Sequence, residues 1–198
     1  MSKSSFDRLL AQIRACRICA QDLALGPRPV FQADPRARIL VASQAPGRRA
    51  HVAGLPFSDP SGDRLRAWLG LTREEFYDAS RVAIIPMGLC FPGTGRGGDL
   101  PPRPEYAPQW RRRLLTRLPA LQLTLVIGRY AMDYHLGGDR RSVTAIVQDW
   151  RSHWPALIVL PHPSPRNNLW LRRNPWFEQE LLPVLRARVA QVMADDGS

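Results

Sequence analysis

The segment whose residue types are best suited to chemistry is His162-Pro163-Ser164-Pro165-Arg166-Asn167-Asn168, which directly follows the apolar run 156–160. That run predicts a short buried strand, so the histidine stands at the carboxyl edge of a sheet, where open α/β proteins bind ligands. The prolines stiffen the loop by fixing backbone torsions, and the serine, arginine and asparagine side chains are donors suited to phosphate. Two interpretations stay open at this point: a ligand-binding loop, or a proline-rich turn whose serine caps the next helix.

The cysteines form a second constellation, in which Cys16 and Cys19 are a C-x-x-C pair and Cys90 stands far from them in sequence. Three cysteines do not make a disulfide scaffold. In a cytosolic protein this spacing indicates a metal site, a redox pair or chance, and no βαβ pattern surrounds the pair to favour a thioredoxin-like site.

The chain is strongly basic: its net charge of +11 comes from 28 Lys and Arg against 17 Asp and Glu, and Lys3 is the only lysine. Arginine makes the planar, bidentate contacts that phosphate and guanine accept, so we expect DNA as the partner; a solvated basic surface is the alternative. Arg111, Arg112 and Arg113 are expected on a solvated helix face.

No apolar run approaches the ~20 residues of a membrane span, and the amino-terminal residues lack the apolar segment of a signal peptide. We expect a cytoplasmic protein without a membrane partner, and a monomer.

Four short apolar runs, 38–43, 82–87, 123–128 and 156–160, predict strands, and they alternate with helical patterns without hairpin signals. This alternation predicts an α/β fold, a three-layer α/β/α sandwich around a four-stranded parallel sheet. We expect one domain over residues 1–198. The predicted helices are 5–14, 61–69, 73–77, 106–118, 129–136, 143–150 and 174–192, with a kink at Pro183 and long loops over 44–60 and 91–104.

The loops that follow the first, second and fourth strands of a parallel sheet emerge at the same edge. Residues 43–47, 88–104 and 162–168 are therefore expected to converge on one site.

The residues in these loops resemble those of a known superfamily, the uracil-DNA glycosylases. Ser43-Gln44-Ala45-Pro46-Gly47 resembles the first motif, which reads GEAPG in the iron-sulfur branch, and His162 to Asn167 resembles the second motif, HPSPRN. Gly54-Leu55-Pro56-Phe57 resembles the GRPF segment, and the three cysteines fall where the iron-sulfur, family 4-like branch places cluster ligands. The resemblance covers residues 16–176, with the motifs in the family's order.

The resemblance implies hydrolysis of the N-glycosidic bond of uracil or a related deaminated base in DNA, a repair reaction that leaves an abasic site. The leaving base takes negative charge, so donors aimed at its oxygen help, as does a group that positions water. The implied catalytic residues are Gln44 and Ala45, through backbone N–H groups, and His162. Phe57 would stack on the flipped base, and the other implied substrate-binding residues are Ser43, Pro46, Gly47, Met87 and Gly88. The implied DNA-contacting residues are Ser164, Pro165, Arg166, Asn167 and Asn168.

The sequence departs from the family in the first motif and in the segment that reads the base. Gln44 and Ala45 stand where branches of the family carry a glutamate and an aspartate, so the first motif has no carboxylate. Asp59 is our candidate to activate water, with a turn residue before a proline as the alternative. Pro86 replaces the asparagine that reads the base edge, so either backbone groups near residues 87–88 substitute for it or the preferred base differs.

Tyr106 stands where the iron-sulfur branch has its fourth cysteine. A [4Fe–4S] cluster is normally held by four thiolates, so two states stay open. In one, Cys16, Cys19 and Cys90 bind a structural cluster that an oxygen ligand at Tyr106 completes; in the other, the site is metal-free and the thiols act as small hydrophobic groups.

The departures also leave more than one function open. The leading hypothesis is the glycosylase, and the alternative is a catalytically silent DNA-binding member of the same superfamily. A nucleotide-binding or other hydrolase on the same fold is a third option.

Overall fold

A computed structural model describes residues 3–194 of the chain, with side chains from residue 5 onward. These residues contain six strands: β1 (Ile39–Ala42), β2 (Val82–Ile84), β3 (Thr94–Gly95), β4 (Gly98–Asp99), β5 (Leu123–Ile127) and β6 (Leu157–Leu160). Four of them form one sheet in the order β2-β1-β5-β6 with every neighbouring pair parallel, which confirms the predicted sheet. β3 and β4 form a small antiparallel hairpin.

The helices of the described residues precede, connect and follow these strands. They are α1 (Lys3–Arg14), α2 (Arg48–Ala53), α3 (Pro60–Leu69), α4 (Arg73–Tyr77), α5 (Arg112–Leu115), α6 (Arg129–His135), α7 (Val143–Gln148), α8 (Asn168–Arg173) and α9 (Leu182–Ala194). π-Helical turns at Ala107–Arg111 and Phe177–Leu181 lead into α5 and α9. No described helix combines the length and apolar composition that crossing a membrane requires.

The sheet is buried on both faces. Successive residues of a strand point to opposite sides of the sheet, so β1 contributes to two buried clusters. Val41 of β1 belongs to a buried cluster that includes Leu65 of α3, whereas its neighbour Leu40 belongs to another that includes Ile13 of α1 and Leu114 of α5. α6, α7 and α9 contribute to the first cluster, so helices cover both faces and the three-layer sandwich is confirmed.

The local elements differ from the predictions in several places. The expected loop over 44–60 contains the short helix α2, and the loop over 91–104 contains the β3–β4 hairpin. α3 begins one residue before Ser61, with Asp59 as its cap and Pro60 at its first position, as the fixed torsion of proline favours. Pro183 lies at the start of α9, just after the π-helical turn Phe177–Leu181, and the kink at this proline stays a prediction.

Arg111 contradicts the expectation of a solvated arginine face. Its side chain is fully buried. One guanidinium nitrogen donates to the carbonyls of Ile85 and Pro86 at 3.0 and 3.2 Å, and the other lies 2.7 Å from Nε2 of His135. Backbone carbonyls and an imidazole thus replace water around the charge, while Arg112 and Arg113 are exposed.

Candidate active site

The loops at the carboxyl edge of the sheet surround one cavity of about 600 Å³. Its walls come from four segments: the first-motif turn (residues 43–47), the segment 56–61 that leads into α3, the hairpin tip at 97–99, and the HPSPRN loop (residues 162–167). The predicted convergence of these loops is therefore observed.

His162 presents a defined hydrogen-bond donor to this cavity. The N–H of Ser164 donates to Nδ1 of His162 at 3.2 Å, so the neutral ring carries its proton on Nε2. Burial lowers the pKa of His162, although the carboxylates of Asp59 and Asp99 act in the opposite direction. At neutral pH the side chain is therefore an uncharged donor through Nε2.

The first-motif turn is fixed by two backbone hydrogen bonds. The N–H of Met87 donates to the carbonyl of Ser43 at 2.6 Å, and the N–H of Gly88 donates to that of Gln44 at 2.9 Å. No hydrogen bond among the described residues uses the backbone N–H groups of Gln44 and Ala45, so both remain available as donors at the cavity wall.

Met87 and Gly88 occupy a different place from the one expected for base-reading groups. Neither lines the cavity. Their N–H groups hold the first-motif turn, so they do not offer these donors to a base. Pro86 does line the cavity, and its carbonyl accepts the hydrogen bond from Arg111 described above.

Phe57 lies on the cavity wall in a strained backbone conformation, with φ of 55°. Such a torsion is uncommon outside glycine and is held only where the surroundings demand it. The hydroxyl of Tyr77 donates to the carbonyls of Pro56 and Phe57 at 2.8 and 3.0 Å. A Cβ on Gly62 would overlap the carbonyl oxygen of Phe57, so only glycine admits this approach.

Asp59 caps a helix and also lies at the cavity. Its Oδ1 accepts a hydrogen bond from the N–H of Gly62 at 3.1 Å, which caps α3, and the residue also lines the cavity. One carboxylate oxygen is therefore committed to the helix terminus.

The HPSPRN loop is braced from within and from two neighbouring elements. Asn167 donates to the carbonyl of His162 at 2.7 Å, and Arg64 donates to the carbonyl of Ser164 and to Oδ1 of Asn168 at 3.1 and 2.7 Å. Arg166 reaches the carbonyl of Gly97 at 3.0 Å. Asn168 does not line the cavity, and Pro165 and Arg166 are exposed beside it.

Sequence reasoning overlooked Asp99, Arg64 and Arg111. Asp99 lines the cavity from the hairpin, and it is the only acidic residue in the loop 88–104 that was expected at this edge. That position was a usable signal. Arg64 and Arg111 donate hydrogen bonds to backbone carbonyls that are far away in sequence. No local sequence pattern predicts such contacts.

The three cysteines line a second, small cavity of about 40 Å³ together with Glu105 and Tyr106. Nε1 of Trp110 lies 3.3 Å from Sγ of Cys16, and Sγ of Cys19 lies 3.6 Å from the carboxylate of Glu105. Burial raises the pKa of Cys90 to about 11.

In the described part of the chain, no three His, Cys, Asp or Glu side chains are grouped closely enough to hold one metal ion. Iron-sulfur clusters are held by cysteine thiolates, and all three cysteines line this one cavity. Tyr106 offers an oxygen where such clusters are normally held by a fourth thiolate, and burial raises the pKa of its phenol, as it raises that of the Cys90 thiol.

Fold and site together define an α/β protein with a histidine-bearing polar cavity at the carboxyl edge of its parallel sheet. The sequence model of the uracil DNA glycosylase superfamily matches residues 30–186, and the chain belongs to this superfamily. It is also similar to a solution NMR structure of a provisionally assigned uracil DNA glycosylase from Methanosarcina acetivorans. The two sequences are 18% identical, the match covers 79% of this chain and 93% of that chain, and the TM-score is 0.45.

Proposed function

We propose that this protein hydrolyses the N-glycosidic bond of uracil or a related deaminated base in DNA and leaves an abasic site. One observation carries the proposal: His162, Gln44, Ala45 and Phe57 line a single cavity, and Nδ1 of His162 accepts a hydrogen bond from Ser164, which leaves Nε2 as the donor of the neutral ring. Membership of the superfamily supports a glycosylase-like hydrolase.

These groups match the needs of base excision. A base inside a duplex is out of reach, so it must be flipped into a pocket, where the ring of Phe57 offers a stacking surface. When the bond breaks, the electron pair goes to the base. The neutral Nε2–H of His162 and the N–H groups of Gln44 and Ala45 then donate to the base oxygen, where negative charge develops.

The DNA strand would pass over the HPSPRN loop. Pro165 and Arg166 are exposed there, and Arg49 also lines the cavity. Arginine side chains at this edge neutralise phosphate, which makes binding sensitive to salt. Ser164 and Asn167 support the loop through the hydrogen bonds described above, and we propose that they hold the shape that DNA contacts.

Cys16, Cys19 and Cys90 are the residues that would hold an iron-sulfur cluster. Bound there, the cluster would supply structural support between the amino-terminal segment and the loop after β2. No step of the proposed reaction passes through it.

Pro86 favours a second candidate function, a superfamily member that binds DNA without excising a base. It lines the cavity, and a proline side chain offers no hydrogen bond with which to read a base edge. This candidate predicts salt-sensitive DNA binding without any abasic product.

The test is an abasic-site cleavage assay on oligonucleotides that carry uracil, hypoxanthine or xanthine, as single strands and as mismatched duplexes. The purified protein is compared with its His162→Ala variant. A product that the variant fails to make supports the glycosylase and identifies its base. Shifted DNA without product from any base favours the silent binder.

A further inference from the structure

The cavity lacks the carboxylate that the first motif supplies elsewhere in the superfamily, and two aspartates line its wall among the described residues: Asp59 and Asp99. Hydrolysis requires a group that positions a water molecule and takes its proton. The two candidates differ in how free their carboxylates are.

The carboxylate of Asp59 is engaged by α3, since its Oδ1 accepts from the N–H of Gly62. Asp99 is exposed, and no described residue makes a hydrogen bond or ion pair with its side chain. Its Oδ2 lies 3.3 Å from the point where a Cβ on Gly47 would stand. The free carboxylate is thus packed directly against the first-motif turn.

The hairpin holds Asp99 in this place from three sides. Gln44 of the first-motif turn donates through Nε2 to the carbonyl of Leu100 at 3.2 Å, and the N–H of Leu100 donates to the carbonyl of Gly93 at 2.9 Å. Arg166 of the HPSPRN loop donates to the carbonyl of Gly97. The hairpin that carries Asp99 is therefore tied to both motifs.

Gly98 completes this arrangement. Its φ is 133°, a conformation that other residues rarely adopt, and a Cβ there would overlap the guanidinium of Arg166. The backbone torsion at the residue next to Asp99 therefore favours glycine, which also leaves room for the guanidinium of Arg166 at the hairpin tip.

We propose that Asp99 is the catalytic carboxylate that accepts a proton from the attacking water, an assignment that rests on the proposed glycosylase function. The bond between C1′ and the base nitrogen breaks, and its electron pair leaves with the base. The water oxygen bonds to C1′, and one water proton passes to the Asp99 carboxylate. Asp59 caps α3 and shapes the segment that carries Phe57.

The experiment compares single-turnover excision by the wild type, Asp99→Asn, Asp59→Asn and Thr94→Ala on the preferred oligonucleotide. Thr94 pairs with Asp99 across the hairpin and is exposed, so Thr94→Ala is the matched control for hairpin damage. Asparagine also caps helices well, so Asp59→Asn leaves α3 intact.

We expect Asp99→Asn to lose about 100- to 10,000-fold in rate, the usual contribution of a general base. Its DNA affinity stays at the wild-type level, and its residual rate rises with pH because hydroxide replaces the missing base. Asp59→Asn loses less than Asp99→Asn, and Thr94→Ala keeps the wild-type rate.

Three results would overturn the assignment of Asp99: a rate for Asp99→Asn within a few-fold of the wild type, an equal loss in Thr94→Ala, or a larger loss in Asp59→Asn. If these results come with wild-type excision that His162→Ala abolishes, the proposed function stands and only the role of Asp99 is wrong. A wild-type protein that excises no base overturns both.

Discussion

The contact between Arg111 and His135 makes the stability of this protein sensitive to acid. Nη2 of Arg111 lies 2.7 Å from Nε2 of His135, so the neutral ring accepts there. Burial and, to a smaller extent, the charge of Arg111 together lower the pKa of His135 to about 4. Protonation of His135 would place a second positive charge against a buried guanidinium and remove its acceptor.

The size of the effect follows from linkage between protonation and folding. An unfolded histidine has a pKa of about 6.5, so between about pH 6.5 and pH 4 the unfolded chain binds more protons than the folded one. The contribution of His135 to the free energy of unfolding therefore falls as the pH falls through this window, and it is constant above the window. From pH 7.5 to pH 5.0 the contribution of His135 amounts to a loss of about 2 kcal/mol in the free energy of unfolding.

The perturbation is His135→Gln, because glutamine still offers an acceptor to Arg111 but does not titrate. Urea unfolding of the wild type and the variant is measured at pH 7.5 and pH 5.0. Other histidines titrate in both proteins, so the difference between the two losses isolates His135. We expect the wild type to lose about 2 kcal/mol more than the variant. Equal losses in the two proteins would show that His135 does not carry the acid sensitivity.

Three further predictions concern the two cavities. Gly62→Ala forces its new Cβ into the carbonyl of Phe57, so we expect it to lose excision and to be less stable in urea unfolding. The control Gly97→Ala has open space for a Cβ and retains stability. Equal stability of the two variants would contradict this prediction. Phe57→Ala removes the stacking surface and costs about 1–3 kcal/mol of base binding, measured as a rate loss with an unchanged circular dichroism spectrum; a wild-type rate would contradict it. We expect anaerobically purified protein to contain iron and to absorb visible light. Cys90→Ser loses the iron and the absorbance, whereas Tyr106→Phe keeps them because the buried phenol is protonated. Iron-free wild-type protein would show that the thiols are only packing groups.

The sheet was predictable from sequence because its four strands are short apolar runs that must be buried on both faces. Once the strands are parallel, the meeting of the first-motif turn and the HPSPRN loop at one edge follows from topology alone. The tautomer of His162 did not follow, because it depends on the orientation of one backbone N–H, that of Ser164.

The features that the sequence did not reveal depend on contacts distant in the chain or lie in elements too short to show a pattern. Arg111 resembles its exposed neighbours in sequence, and the groups that explain its burial, the carbonyls of Ile85 and Pro86 and the ring of His135, are all more than twenty positions away. The hairpin that carries Asp99 has two residues per strand, too few for an alternating pattern. α2 is likewise too short to show a helical period.

The most direct measurement is the single-turnover rate of uracil release from a single-stranded oligonucleotide by the wild type and by His162→Ala, at neutral pH and equal salt. Hypoxanthine and xanthine substrates are run in parallel. We expect an abasic product from at least one base and a loss of about 100- to 1,000-fold in the variant, the usual cost of one donor to a developing anion. No product from any base, or equal rates for the two proteins, would contradict this expectation.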